Sequence, residues 1–320
     1  MSAHRATTTQ KTSSTGTTTL AMPKPTGLAA GDFCTTPILA INNSTAGSWS
    51  DIGLPTDAFL LGDVNSGAGG YAKLFLCGKI ASGSEGSTID FSYTAPGGSG
   101  DTFAMLGIMS ARSGHDSTVP FDHSVIETGT ATGGSTTTLV KSGAGWTTNI
   151  HAGRILRNVT TGKFAYIASN TSDTLTLRHA VSSANANTHS FAILSPVVSV
   201  QFQSSSAAST VAPSLTPVHS ATQLISVYAG GDGNQSSFGD NVAAPGSQLD
   251  RGEVEIDSRG GWGRIMLADE AISGTSATGT RTATHITNWK AFSASLALRE
   301  PVSAGGTAPR ASHYARLLGR

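Results

Sequence analysis

The chain has 320 residues, 20 Lys+Arg against 20 Asp+Glu, 12% charged and 6% aromatic residues, and 38 glycines. Formal neutrality argues against bulk nucleic-acid binding, and no apolar run reaches the roughly 18 residues of a helical membrane span. A hydrophobic share of 38% excludes wholesale disorder, while abundant Ser, Thr and Gly disfavour helix and suit pleated strands.

Residues 1–25 are a Thr-rich segment closed by Pro23-Lys24-Pro25, predicted to be an extended N-terminal arm. The apolar run "FCTTPILAIN" follows. Its Pro37 predicts an edge strand or a bulge, because proline cannot donate to a ladder. "AFLLGDV" (58–64) and "YAKLFLCGKIA" (71–81) come next. In the second, Tyr71, Lys73, Phe75 and Cys77 alternate with Ala72, Leu74 and Leu76, a pattern for a strand covered on both faces. "STIDFSYTA" (87–95) sets Ile89, Phe91 and Tyr93 against polar neighbours, as in a half-exposed strand, and "TFAMLGIMSA" (102–111) is apolar throughout. Turn signals recur about every 8–12 residues, the rhythm of a sandwich or barrel.

The sequence then repeats itself. "GGYAKLFLCGKIASGSEGST" (69–88) returns as "GGWGRIMLADEAISGTSATGT" (260–280), with Trp262 for Tyr71 and Ile265 for Leu74. "TVAPSLTP" (210–217) echoes "TLAMPKPT", "ATQLISVYAG" (221–230) occupies the place of "TTPILAINNS", and "NWKAFSASLALRE" (288–300) answers "SGDTFAMLGIMSA", with Phe292 standing for Phe103. Each half supplies about four strands with one apolar side, and two such sets packed face to face hide both. The expected fold is therefore an all-β, jelly-roll-like two-sheet sandwich of two related halves, discontinuous over 26–127 and 196–300.

Between the copies lies a small β-roll or barrel insertion, 128–195. It has five candidate strands at 135–141, 153–159, 163–169, 174–179 and 189–194, a hairpin turn at Thr161-Gly162 and Trp146 as its core candidate. Residues 301–320 form a C-terminal docking tail, in which Tyr314, Leu317 and Leu318 share one face of a helical turn beside Arg316 and Arg320.

The blocks "PKPTGLAAGDF…ILAIN", "GGYAKLFLCGKIASGSEGSTIDFSYT" and "LADEAISGTSATGTRTAT…WKAFSASLALRE" resemble a β-sandwich module of tailed-bacteriophage structural proteins. "GTATGGSTTTLVKSGAGWTTNIHAGRILRNVTTGKFAYIASNTSDTLTL" is similar to a small insert of phage tail and capsid-associated proteins. The resemblance implies a non-enzymatic virion component at the particle surface, a head, collar or tail decoration. The partners it implies are other virion proteins and copies of itself, a trimer among the options. A tail-fibre or receptor-binding subunit and a carbohydrate-binding module are the alternatives.

No nucleophile elbow, phosphate loop, zinc motif or paired C-x-x-C is present, and no cofactor is expected. Basic residues without acidic ones mark both ends, so the assembly contacts are assigned to Arg5, Lys11, Arg310, Tyr314, Arg316, Leu317, Leu318 and Arg320. Trp49 and Trp262 are the candidates for stacking on a host-surface glycan. Asp232, Asn234 and Asp240 lie in a Gly-rich loop of calcium-ligand composition but without EF-hand spacing, so it is read as a turn-rich loop. His115, Asp116, Asp122 and His123 in "SGHDSTVPFDHS" are a weak metal or base candidate, read as a solvated linker. Cys34 and Cys77 are read as buried core thiols.

Overall fold

Strands that are apolar on both faces must be covered twice, and the chain meets that demand by stacking sheets. The computed structural model describes residues 3–15, 17–42, 51–66, 72–94, 102–232, 243–258 and 261–301, and among these there is no helix. The first half runs β1 (Ala3–Thr15), β2 (Thr17–Pro23), β3 (Phe33–Asn42), β4 (Ile52–Gly53), β5 (Ala58–Asn65), β6 (Ala72–Ile80), β7 (Thr88–Thr94) and β8 (Thr102–Ser113). These make a five-stranded sheet, β1-β8-β3-β6-β5, and a three-stranded sheet, β2-β7-β4, all antiparallel.

The insertion supplies β9 (His123–Thr130), β10 (Gly133–Gly134), β11 (Thr138–Val140), β12 (Ile155–Asn158), β13 (Lys163–Asn170), β14 (Thr174–Leu177) and β15 (Ser190–Pro196). The second half is β16 (Val198–Ala212), β17 (Ala221–Asp232), β18 (Leu249–Ser258), β19 (Gly261–Ala271) and β20 (Arg281–Arg299), ordered β16-β20-β17-β19-β18. That order is the first sheet's order again: first, last, second, fourth, third. The sequence repeat is thus a repeat of topology, and the all-β sandwich of related halves is present.

The two five-stranded sheets share the largest core. Leu39, Ile41, Leu74, Leu76, Leu106 and Ile108 meet Ile225, Val227, Ile265, Leu267, Phe292 and Leu296 between them. β1 faces β18, β3 faces β17, and β5 faces β16, so an approximate two-fold axis relates the halves. Gly263 permits the approach, because a Cβ there would run into Ile41.

Each half also has a second layer. Leu20, Met22, Ile89, Phe91 and Tyr93 of the three-stranded sheet cover Ile38, Phe75, Cys77, Phe103 and Met105. In the second half the far ends of β16 and β20 pair with each other over 209–212 and 281–284, and Ala243 bridges to Thr284 as β4 bridges to β7. Beneath them lie Tyr228, Met266, Ala268 and Ala291.

Three expectations change in detail. The first 25 residues are not a free arm. β1 pairs along its length with β8, from Thr15–Thr102 to Ala3–Ser113, and β2 fills a core. β3 is central rather than an edge: its ladder to β8 skips Thr36 and Pro37 and resumes at Ile38 in the same register, so the missing N–H falls in the gap. Phe103 does not correspond to Phe292, since Phe103 faces the small sheet and Phe292 the shared core.

All five strands expected in the insertion are present, and Gly162 holds the predicted turn at φ 72°. Its seven strands run β10-β11-β14-β13-β12-β15-β9. The two edge strands are consecutive in the chain, and the two residues between them span about 10 Å at most, so the sheet must curl into a roll. Leu139, Leu156, Ile167, Leu175 and Ile193 fill it with Trp146 at the margin.

Deleting residues 1–25 removes β1 and β2 together, and the cooperative thermal transition of the chain is expected to disappear. Leu20→Ala, at a fully buried position against Gly107, is expected to cost about 2–5 kcal/mol in urea unfolding.

Candidate functional site

A dense set of ion pairs lies at the seam where the insertion meets the first half. Phe59 of β5 stacks on Phe164 of β13 at 5.0 Å between centroids, which sets the two bodies against each other. Around that contact the charges interlock. Arg178 gives Nε and Nη2 to Asp51 at 2.6 and 2.8 Å, and Nη1 and Nη2 to Asp63 at 2.7 and 3.0 Å. Lys73 adds a second cation 2.8 Å from Asp63. Lys163 and the Ser182 hydroxyl both donate to Asp57 at 2.5 Å, and His179 Nε2 donates to the Ile52 carbonyl. Asp57 sits at φ 63°, a left-handed conformation that aspartate tolerates better than most residues.

Burial alone would raise the Asp57 and Asp63 carboxyls, but the hydrogen bonds and charges around them, from Lys163, Ser182 and Lys79 for Asp57 and from Arg178 and Lys73 for Asp63, together outweigh it and hold both below the usual carboxylate range. Burial opposes the charge of Arg178 too, yet its bonds to Asp63 and Asp51 leave it raised.

Two crevices open beside the seam. One of about 570 Å³ is lined by Thr56, Asp57, Lys79, Ser82, Glu85 and Asp90, and one of about 320 Å³ by Pro55, Thr56, Asp57, His179 and Ser182. Of their charged groups, Asp57, Lys79 and Glu85 are engaged within the chain. Lys79 donates to the Thr56 carbonyl at 2.8 Å, and Glu85 accepts from the Ser82 and Gly83 amides at 2.6 and 3.0 Å. The seam is a clasp, with carboxylates matched to cations.

The segment "SGHDSTVPFDHS" overturns its reading as a solvated linker: His115, Asp116, Asp122 and His123 are all buried. Asp122 accepts from the amides of His123, Val218 and His219 and from His219 Nδ1 at 2.9 Å. Asp116 caps the Thr118 and Val119 amides, and Phe121 bridges to Leu298 of β20. These residues sew the end of the first half to the second. Among the described residues no serine, threonine or cysteine side chain is hydrogen-bonded to His219.

A third polar centre lies in the shared core. Arg112 of β8 and Asp269 of β19 form an ion pair with essentially no solvent exposure, and Asp269 also accepts from Arg251 and Gln223 at 2.9 Å each. Adjacent Glu270 turns to the opposite face and meets Arg281, as strand alternation requires.

The residues singled out from sequence are distributed as follows. Arg5 pairs with Asp32 at 2.7 Å and Lys11 donates to the Glu255 carbonyl at 2.8 Å, so both are engaged inside their own chain. Arg310, Tyr314, Arg316, Leu317, Leu318, Arg320, Trp49, Asn234 and Asp240 lie outside the described residues. Trp262 is opposite Asp232 and Asp257 on the β17-β19-β18 ladder, but the side chains of Trp262 and Asp232 are also outside them. Cys34 and Cys77 are buried free thiols in the core under the small sheet, and burial pushes Cys34 up to about 12. Among the described residues no group of three His, Cys, Asp or Glu is placed to hold a metal ion, and no helix is long and apolar enough to cross a membrane.

Sequence reasoning missed Arg178, Asp57, Asp63, Arg112 and the joint role of Asp122. Their partners lie roughly a hundred residues away, and no local spacing announces them. No protein-family model matches this chain, and no curated protein matches it in sequence.

Asp269→Asn leaves the Arg112 charge buried without its counter-ion, and an expected loss of about 3–5 kcal/mol is measurable by denaturant titration. Arg112→Met combined with Asp269→Leu is expected to recover most of it. Burial lowers the pKa of His4, His123, His151 and His179 in the folded chain. The unfolded chain therefore takes up protons first, so stability is full above about pH 6.5 and falls progressively below it. The urea midpoint is expected to drop between neutral pH and about pH 5, and to drop again as Asp57 and Asp63 protonate below their unfolded value of 3.8.

Proposed function

We propose that this chain is a non-enzymatic structural subunit of a bacteriophage particle, a surface decoration or a head, collar or tail appendage. The observation that carries the reading is how the buried and half-buried charges are used. Arg112, Asp122, Asp269 and Arg178 each tie one layer of the molecule to another, an arrangement that serves rigidity. The resemblance of the repeated blocks and of the insertion to phage modules supplies the virion context.

The docking element is the C-terminal stretch 301–320, basic and with an apolar i, i+3, i+4 set at Tyr314, Leu317 and Leu318. Arg5 and Lys11 also hold the chain's own fold, through Asp32 and the Glu255 carbonyl. The insertion, clasped to the sandwich, is the displayed part.

A chain ending at Pro301 is expected to keep the thermal transition of the full chain and to lose incorporation into particles, read by co-sedimentation with purified virions. Undiminished incorporation would remove the C-terminal docking assignment.

A further inference from the structure

The two large sheets have four outer edges, β1 and β5 in one and β16 and β18 in the other. Exposed edges invite pairing with another chain unless they are bulged, charged or covered. β5 has a bulge between Leu60 and Gly62, and the insertion is fastened along it through Asp57, Phe59 and Asp63. β16 breaks register between Gln203, Ala207 and Ser209. β18 is bulged between Asp250 and Gly252 and carries Asp250, Glu253, Glu255 and Asp257.

β1 is the most lightly guarded: its bulge falls at its start, between His4 and Ala6, and its Lys11 side chain is turned onto the Glu255 carbonyl of β18. From Ala6 to Thr15 it runs in unbroken register with β8, and its 13 residues include no proline, glycine or acid.

The strand is also held in place on both faces. Lys11 bonds to β18, and Thr7 lies where a Cβ on Gly252 would be 3.0 Å from its methyl group. On the other face, Thr8 Oγ1 donates to the Pro23 carbonyl and Gln10 Nε2 to the Ala21 carbonyl. The Lys11 amide is capped by the Gln10 side chain, Oε1 accepting at 3.0 Å, so it points away from β8. Strand alternation turns the amides of Thr7, Thr9 and Ser13 the same way.

We infer that this edge is a docking strand for β1 of a second copy, antiparallel about a two-fold axis at Thr9. Directly opposed residues in an antiparallel pair must both turn their amides toward the partner or both away, which an axis at Thr9 satisfies. Thr9 is the midpoint of Ala6–Thr12, within the bulge-free stretch, so each residue from Ala6 to Thr12 gains an opposite number. Lys11 then faces Thr7, Thr8 faces Gln10, and Ala6 faces Thr12. Moving the axis to Lys11 would set that lysine against its own copy, like charges that destabilise a cross-strand pair. The self-complementary register favours a copy of the same chain over a foreign strand, and an isologous contact closes at two subunits. This goes beyond the virion reading and does not rest on it.

Light scattering of the full chain tests the inference. Wild type is expected to be a dimer. Thr9→Pro removes an outward donor from each copy and leaves the β1–β8 bonds intact, so it is expected to weaken the dimer roughly 30-fold or more with an unchanged circular-dichroism spectrum. Thr9→Ala keeps the donor and is expected to keep the dimer. A wild-type chain that stays monomeric at its highest soluble concentration overturns the inference. So does a dimer that tolerates Thr9→Pro, one lost equally in Thr9→Ala, or a monomer that pairs only with a strand from another protein.

Discussion

A β-sheet with two apolar faces cannot meet water on either side, and this constraint organises the molecule. Every position of β3 is buried, as is nearly every position of β6. A single packing partner would leave half of those side chains wet, so each large sheet needs two covers. One is the other half of the chain. The other is the small outer layer, from β2, β4 and β7 in the first half and the folded-over ends of β16 and β20 in the second. The repeat, the shared core and the paired outer layers follow from one compositional fact, that alternate residues along β3, β6 and β8 are equally greasy.

Such a stack has a weakness. Apolar layers attract without direction, and a sheet displaced by one pair of residues would still bury oil against oil. The buried charges answer this. An ion pair in the core adds little net stability over a well-packed apolar pair, but Arg112 and Asp269 meet only in one register of the two large sheets. Asp122 fixes the crossover between halves, and Arg178 fixes the insertion. These contacts differ in exposure and share one property: each spans a boundary that hydrophobic burial leaves free to slide.

The layers were legible in the sequence because periodicity is local. Ile89, Phe91 and Tyr93 announce a half-buried strand within seven residues, and the alternation around Phe75 announces a two-faced one. The repeat of "GGYAKLFLCGK" in "GGWGRIMLADE" predicted two related halves packed face to face, and the two five-stranded sheets share one strand order. The misreadings came from placement. Pro37 argued for an edge, because nothing local reveals that a ladder can skip two residues and resume. The Thr-rich start looked like an arm, because its partner β8 lies about a hundred residues on. The clasp was invisible for the same reason. Asp51, Asp57 and Asp63 are ordinary loop and strand acids until Lys163 and Arg178 arrive from the insertion.

The insertion also breaks the symmetry of the body. It enters where the first half hands over to the second, a crossover that must cover distance in any case, so it displaces no core position. Its anchors all fall on one flank, along β4 and β5 and beside β16, whose first residue follows Pro196 after a single intervening residue. A domain hung on a plain linker would swing. One gripped by an aromatic stack and by carboxylates held ionised through neighbouring cations keeps its loops in a fixed direction relative to the sandwich.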